Sequence, residues 1–461
     1  MKTGIIKLSS VLQGSCRIDP SLHLSEGVSI RNKLHNSPYE LSTVADCSSR
    51  LFLGNIFSRC FVKSKEFGVT YLSASDTVLS DLETGRYISK KQAKELSYLM
   101  LEKDWILVTC SGTLGNVTYT NNNFADKIAT HDLIRIVPSD TKYKKGCLYA
   151  FLTSKYGYYQ ITQSQFGGVV KHINDKQLGS IVVPKFPDDF QQEVDELIQE
   201  SAKLREEAGD CLHEAETIMN NFIPLKFEKT GFKTKSVSYS NIKNSLQLRI
   251  DPPALINNGV EVMDRLLSSM ESKKIGDLNV KVYRPGIFKR VYVENGFPYI
   301  KGGEVFFTNP FRRCVYVSRT KTPFVDEMKL KEGQILIMCA GTVSVGKVKL
   351  ITKEYEDKNC IGSQDIIRLE SEDDLFTKEY LFMYLQLPFV YDYIISMKYG
   401  SVIERIEPFH IESIPVITPS NEISKKITSI IKRYMDLSYK AFNAEEKAIK
   451  MVEEEIEKWN N

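Results

Sequence analysis

A glycine and lysine spacing that could bind the phosphates of a nucleotide occurs in the segment GTVSVGK at residues 341–347. Such a loop needs a Ser or Thr directly after the lysine, to bind Mg²⁺, and it opens into a helix. Here Val348 stands at that position, and residues 348–352 have the apolar pattern of a strand. A similar turn at residues 112–116 lacks the lysine. Nucleotide binding is therefore not predicted.

Other short motifs match catalytic patterns only in part. Asn309-Pro310-Phe311 shares two positions with the Asn-Pro-Pro-aromatic loop of amino-methyltransferases, but no glycine-rich cofactor loop precedes it. Glu327 and Lys329 have a nuclease-like spacing inside a charged turn. The six His are scattered, without the spacing of zinc ligands. We predict no catalytic residue, no metal site and no cofactor.

A duplication organises the chain. Five short blocks recur in the same order, at offsets between 228 and 233 residues. The pairs are residues 17–20 with 249–252 (RIDP in both), 71–76 with 299–304, 105–113 with 334–342, 131–136 with 364–369, and 166–170 with 399–403. Chance matches do not keep one register over a whole chain, so the sequence predicts a tandem pair of similar modules.

Composition bounds the class of protein. The chain has 461 residues, 26% of them charged, with a formal net charge of only +3, so any DNA contact must come from local clusters. Nine Cys without close pairing favour a reducing compartment. The N-terminal residues are too polar for a signal peptide, and no run reaches the roughly 18 apolar residues of a membrane span. We expect a cytoplasmic protein with no membrane partner.

Within each module, short apolar runs predict strands and longer periodic segments predict helices. The predicted strands are residues 105–110, 117–120 and 181–184 in the first copy, and 334–339, 348–352 and 414–417 in the second. Helical patterns cover residues 146–163 and 377–398. Without regular alternation of strand and helix, this mixture predicts an α+β fold.

Each module is followed by a segment with a heptad seam, starting after Pro187 and after Pro419. The clearest seam positions, predicted to form a coiled coil and a partner-docking surface, are Val194, Leu197, Leu204, Ile218, Ile427, Ile430, Tyr434 and Leu437. Spacing of alternately four and three residues, with Glu, Lys and Arg at the flanks, is typical of coiled coils. The predicted organisation is a first module at residues 1–186, a helix at 187–222, a second module at 223–418 and a helix at 419–461.

Two arrangements of these helices are open. Each helix can pack on its own module, or the two can pack on each other. The narrow seams and equal lengths, roughly 50–60 Å, favour mutual packing. With the chain order module, helix, module, helix, an antiparallel pair places the modules at opposite ends, with approximate twofold symmetry.

The two copies diverge in two basic stretches, residues 77–93 and 305–321. The candidate DNA-binding residues there are Arg86, Lys90 and Lys91 in the first copy, and Arg312, Arg313, Arg319 and Lys321 in the second. Secondary candidates, at places where small polar residues follow a strand, are Ser73, Ser75, Lys301, Gly302 and Gly303. Basic side chains neutralise phosphates and Arg or Lys can bind guanine edges. Each residue alone is also typical of a solvated loop, but paired clusters at equivalent places favour DNA binding.

The sequence resembles the specificity subunit of type I restriction-modification systems over essentially the whole chain. The similarity lies in the ILxxC-[SA]-G-T turns at residues 105–113 and 334–342, the RIDP entries, and the proline-to-glutamine approach to the first long helix at Gln191-Gln192. The second copy departs from the last motif, with Asn421-Glu422-Ile423 and no glutamine.

The resemblance implies a non-catalytic subunit whose two target recognition domains each read one half of an asymmetric, bipartite site in double-stranded DNA. It implies that the helices set the spacer and dock two methyltransferase subunits, with restriction subunits joining through the complex. Three alternatives stay open: a specificity subunit of a type IIB/IIG-like system, an enzyme with an unrecognised active site, and a scaffold or decoy that binds methyltransferase without reading DNA.

Overall fold

The computed structural model describes residues 8, 26–112, 114–163, 171–223, 236–243, 247–341 and 344–459. The sequence blocks at 17–20 and 166–170 lie outside these ranges. The chain forms two compact units: unit 1 contains residues 1–206 and 440–461, and unit 2 contains residues 207–439. Each unit thus includes one sequence module and part of each long helical segment.

The described part of unit 1 contains three small sheets. Their strands are β1 (Leu41–Thr43), β2 (Ser48–Leu53), β3 (Phe61–Val62), β4 (Gly68–Leu72), β5 (Tyr87–Ser89), β6 (Ile106–Thr109), β7 (Val117–Tyr119), β8 (Ile128–Ala129), β9 (Leu133–Pro138) and β10 (Val182–Pro184). One sheet has the order β2-β9-β6-β7 and is antiparallel. The second has the order β3-β5-β4-β8, with β4 and β8 parallel. The third pairs β1 with β10.

Unit 2 repeats this topology sheet by sheet. Its strands are β11 (Ser272–Lys274), β12 (Val280–Tyr283), β13 (Tyr292–Val293), β14 (Phe297–Ile300), β15 (Val315–Val317), β16 (Ile335–Met338), β17 (Val348–Leu350), β18 (Ile361–Gly362), β19 (Ile366–Ser371) and β20 (Pro415–Ile417). The orders are β12-β19-β16-β17, β13-β15-β14-β18 and β11-β20. The predicted duplication and the α+β class are both confirmed.

The helices lie around these sheets. Those of unit 1 are α1 (Glu26–His35), α2 (Lys90–Glu95), α3 (Lys145–Thr153), α4 (Lys155–Gln163) and α5 (Asp175–Gly179). Next come α6 (Asp188–Phe222), then α7 (Tyr239–Lys243), α8 (Pro252–Leu255), α9 (Asn258–Leu267), α10 (Lys353–Asp357), α11 (Lys378–Gln386), α12 (Pro388–Ser396), α13 (Pro408–Glu412) and α14 (Asn421–Lys458). Among the described helices, none is long and apolar enough to span a membrane.

The long helices α6 and α14 begin where their proline and acidic signals predict. Within unit 1 they lie side by side. The ring of Phe186, just before α6, is 6.1 Å from that of Trp459, just after α14. Further along α6, the Ser201 hydroxyl donates to the carbonyl oxygen of Ala441 at 2.7 Å. As the position on the first helix rises, the contacted position on the second falls, so the two helices run antiparallel.

The same helices also pack on the modules, so the two arrangements open to the sequence coexist. In unit 1, Asn121 donates to the carbonyl of Ala202 at 3.1 Å, and the Asp195 carboxylate accepts from the amide of Gly146 at 2.6 Å. In unit 2, the Ser424 hydroxyl donates to the carbonyl of Leu375, three residues before α11, at 2.6 Å. Each long helix therefore buries a wider stripe than a two-stranded seam alone requires.

One arginine lies fully buried in the central sheet of each unit. Arg135 on β9 and Arg368 on β19 are both 0% exposed. Arg135 donates to the carbonyls of Leu133, Ala129 and Thr130 at 2.8–3.1 Å. Arg368 donates to three carbonyls in the same way, at 3.3–3.4 Å. Burial lowers the pKa of each guanidinium to about 10. In unit 1 the arginine joins β9 to the segment that contains β8, and in unit 2 it joins β19 to the segment that contains β18.

We expect Arg135→Met to destabilise unit 1 by about 3 kcal/mol, because it leaves buried carbonyls without their donors. Arg368→Met should destabilise unit 2 to a similar extent. Urea unfolding of the full chain, followed by circular dichroism, measures both changes. The control is Arg265→Met, because Arg265 is exposed on α9 and the substitution should cost less than about 0.5 kcal/mol. Equal midpoints for all three variants would contradict this role.

Candidate nucleic-acid interface

A compact polar turn follows β4 in unit 1 and contains three of the predicted DNA-binding residues. The buried carboxylate of Asp76 accepts from both the backbone amide and the hydroxyl of Ser73, each at 2.6 Å. Arg86 forms an ion pair with the same carboxylate. The Ser75 hydroxyl lies 3.1 Å from that of Ser73. Asp76 thereby holds two hydroxyls and one half-exposed guanidinium together at the end of a strand.

The turn after β14 in unit 2 has the same backbone anchor and different side chains. Glu304, within the 3-10 turn Gly302–Phe306, accepts from the backbone amide of Lys301 at 2.9 Å. The Lys301 ammonium lies 3.9 Å from the other carboxylate oxygen and its side chain is 57% exposed. Where unit 1 presents Ser, Ser and Arg, unit 2 presents Lys beside two glycines. Both turns thus have a carboxylate that accepts from a backbone amide, but the side chains that they expose differ.

The two glycines of this second turn have different surroundings. A Cβ at Gly302 would lie 2.3 Å from the terminal methyl of Met338, so packing alone accounts for that glycine. A Cβ at Gly303 would meet nothing within 4 Å. Gly303 therefore lies in open space, where no described neighbour excludes a larger side chain.

The lysines of the first basic stretch lie apart from the turn. Lys90 and Lys91 are exposed and occupy the first two positions of α2. The hydroxyl of Ser89 caps this helix by accepting from the amide of Gln92 at 3.3 Å. Strand β5 connects Arg86, directly before it, to these lysines, directly after it, but no described contact joins the lysines to Asp76.

The four basic residues of the second stretch flank β15 on both sides. Arg312 and Arg313 precede the strand, and Arg313 has a φ of +103°, in the region that favours glycine. Arg319 and Lys321 follow the strand and are exposed. The Arg319 guanidinium lies 5.2 Å from the ring centre of Phe297 on β14. The basic residues of this stretch therefore form two pairs, one before and one after the strand.

Sequence reasoning missed a further repeated motif at the surface. The segment Ile56-Phe57-Ser58-Arg59 matches Ile287-Phe288-Lys289-Arg290, at an offset of 231 residues. Both isoleucines are 85% exposed. The offset alone was a sufficient signal, because it falls inside the range of the other repeated blocks.

The predicted seam residues are all at least half-buried. Val194, Ile427, Tyr434 and Leu437 are buried, and Leu197, Leu204, Ile218 and Ile430 are half-buried. On α6, burial is greater one residue after the predicted position: Ile198, after Leu197, and Met219, after Ile218, are buried. This shift follows from packing on the module as well as on the second helix.

A buried ionic contact joins both long helices in unit 1. Glu445 on α14 is 1% exposed. It accepts from Arg205 on α6 at 2.9 and 3.2 Å, and from the hydroxyl of Tyr149 on α3 at 2.5 Å. A bidentate pair of this kind fixes the register of two helices.

The enzyme-like motifs have structural roles where they are described. The residue after the lysine of segment 341–347 begins β17, not a helix. The Asn309 side chain accepts from the amide of Phe311 at 3.1 Å, which closes a turn. Lys329 pairs with Asp326 at 2.7 Å inside a 3-10 turn. Within the described residues, no group of three or more His, Cys, Asp or Glu side chains is placed to hold a metal ion.

The chain belongs to the family described as type I restriction modification DNA specificity domain. The family model matches residues 57–200 and 268–450, two segments that together make up well over half of the chain. A comparison with curated proteins found no match.

Three solved structures from type I restriction-modification systems are similar at 12% identity. The type I restriction-modification S subunit from M. genitalium covers 90% of this chain and 96% of its own, with a TM-score of 0.32. The HsdS subunit from Thermoanaerobacter tengcongensis covers 91% and 96%, with a TM-score of 0.27. A chain from a study of complex assembly and conformational transition in a type I R-M system covers 92% and 97%, also at 0.27. The family assignment rests on the sequence match.

Proposed function

We propose that this chain is the non-catalytic DNA specificity subunit of a type I restriction-modification complex, with each module reading one half of a bipartite, asymmetric site. One observation carries the proposal. The turns after β4 and β14 share a carboxylate that holds the backbone, Asp76 or Glu304, while the side chains that they present differ. A protein that reads two different half-sites on one scaffold needs this combination of equal frame and unequal surface.

The recognition domains in this proposal are residues 1–186 and 223–418, and the helical segments are 187–222 and 419–461. The helices set the length of the unread spacer, and their remaining surface docks two methyltransferase subunits. The antiparallel contacts of α6 with α14, and the Arg205–Glu445 pair, support a rigid rather than a flexible connection.

Catalysis belongs to partners in this proposal. The methyltransferase subunits supply the methyl-donor chemistry, and restriction subunits join through the complex. The complex acts on chromosomal DNA, so we place the chain in the cytoplasm. The described motifs that resembled active sites have structural contacts instead, which supports this assignment.

The test is single-molecule methylome sequencing of cells with and without the gene. We expect one bipartite methylated motif to disappear on deletion and to return on complementation. A control complementation with residues 1–206 alone should not restore the motif, because that fragment lacks unit 2 and residues 440–461 of unit 1. An unchanged methylome, with the methyltransferase genes intact, would support the decoy alternative, and methylation by the purified chain alone would support the enzyme alternative.

A further inference from the structure

The repeated Ile-Phe-x-Arg segment precedes an aromatic residue in both units. Phe61 and Tyr292 follow the arginine by two positions and begin β3 and β13. Phe61 is 50% exposed and Tyr292 is 55% exposed, so the exposure of the aromatic residue is similar in the two units, as is that of the isoleucines, both at 85%. The same exposed isoleucine, arginine and exposed aromatic residue thus recur at equivalent places in both units, which makes them a repeated feature of the fold. We call residues 56–61 and 287–292 the paired tips.

Each tip is fixed to its own unit by equivalent contacts. In unit 1, Arg59 donates to the hydroxyl of the buried Tyr71 at 2.6 Å and to Thr130 at 3.3 Å. In unit 2, Arg290 donates to the hydroxyl of the buried Tyr299 at 3.0 Å, and lies 3.5 Å from Gln364. The arginine of each tip is therefore oriented before any partner arrives.

The backbone beyond the arginine is held in both units as well. The amide of Cys60 donates to Gln92 at 2.8 Å, and its carbonyl accepts from Ser89 at 3.0 Å. The amide of Val291 donates to the Thr322 hydroxyl at 3.4 Å, and its carbonyl accepts from the amide of Ser318 at 2.8 Å. Side chains on such a fixed frame lose little conformational freedom on binding.

The chemistry around the tips fits duplex DNA. In unit 1 the Arg86 guanidinium lies 5.9 Å from the ring of Tyr71, the residue that holds Arg59. In unit 2 the strand of the tip, β13, pairs with β15, which leads to Arg319. The tips are thus continuous with the divergent basic residues. A polyanion is the partner with complementary charge.

We propose that the paired tips bind what both half-sites share, the phosphate backbone and groove wall of the duplex, and not the bases that distinguish them. Arg59 and Arg290 each neutralise a phosphate. Ile56 and Ile287 each pack on the sugar and groove surface beside it. Divergent residues such as Arg86 and Lys301 then supply the sequence preference. This inference rests on the proposed function. It assigns binding of the DNA backbone to the tips and recognition of the bases to the divergent residues.

The first test uses the purified full chain and a fluorescein-labelled 30-base-pair duplex of random sequence, with anisotropy measured across a range of NaCl concentrations. Arg59→Ala and Arg290→Ala should each weaken binding about tenfold and lower the salt slope by about one unit. Arg59→Lys should keep the slope, because it keeps the charge. Thermal melts check that each variant stays folded, because Arg59 and Arg290 also hydrogen-bond to a buried tyrosine of their own unit.

The second test asks whether the isoleucines of the tips contribute to DNA binding, in contrast to an exposed isoleucine elsewhere in the chain. Ile56→Ser and Ile287→Ser should each weaken binding about tenfold without changing the salt slope. The matched control is Ile250→Ser, because Ile250 is also exposed, at 72%, and lies outside the tips. Ile250→Ser should bind like the wild type.

The outcomes separate the two proposals. If the wild-type chain and its methyltransferase complex fail to bind duplex DNA, the proposed function falls and this inference falls with it. If the wild type binds and the tip variants bind equally well, only the paired tips are wrong. If the tip variants change the methylated motif in cells, the tips read bases, and the division of labour is overturned. Weaker methylation of an unchanged motif is the expected result.

Discussion

Arg86→Ala should relax or change the recognised bases in one half of the methylated motif and leave the other half intact. Asp76 pairs with the guanidinium at the turn after β4, and the equivalent turn in unit 2 presents Lys301 beside Glu304 instead. Loss of a good contact to a base edge typically costs about 1–3 kcal/mol of discrimination. Methylome sequencing of cells that carry the variant gene reports both half-sites in one measurement.

The reciprocal variant is Lys301→Ala, which should affect only the other half-site. Lys176→Ala serves as a control, since Lys176 is exposed on α5 and should leave both halves unchanged. Point substitutions are sharper than exchange of residues 77–93 and 305–321, because those stretches contain buried residues such as Ile88 and Val305. A change in both half-sites from one substitution would show that the modules do not read independently.

Insertion of seven residues into both long helices should lengthen the unread spacer by about three base pairs, since seven residues add roughly 10 Å of helix and a base pair about 3.4 Å. The places for insertion are after Glu206 in α6 and after Tyr439 in α14, where one compact unit ends and the other begins. A whole heptad keeps the packed positions of both helices in register.

The matched control inserts seven residues into α6 alone. The contacts of α6 with α14 then lose their register, and methylation should fall to background. An insertion of four residues in both helices rotates the packed face and should also be worse than seven. A spacer that keeps its length after the paired heptad insertion would refute the role of the helices as a ruler.

Much of the fold was predictable because its signals are local. Strands β6 and β16 are short apolar runs ended by Gly-containing turns, and the helix starts at Asp188 and Asn421 follow proline. The predicted helix at 146–163 is two helices, since the chain turns at Ser154, whose hydroxyl bonds to the carbonyl of Phe151. The predicted helix at 377–398 is also two, because Pro388 begins the second.

The candidate site was predictable in residue type more than in arrangement. The grouping of Ser73, Ser75 and Arg86 depends on the pairing of β4 with β5, which brings residues ten or more positions apart to one carboxylate. The paired tips were missed because an exposed isoleucine contradicts the rule that apolar residues are buried. Arg135 and Arg368 are fully buried although charged residues are usually exposed, so their burial was not predictable from residue type either.

The composition of unit 1 has a consequence for synthesis on the ribosome. Its core includes Val194, Ile198 and Ala202 from α6, together with Val452 and Ile456 near the end of α14. Unit 2 is one continuous stretch of chain, so it can close as soon as it has emerged. The unit whose translation begins first is therefore completed last, and until residues 440–461 have emerged its apolar face must be shielded by chaperones or remain open to aggregation and proteolysis.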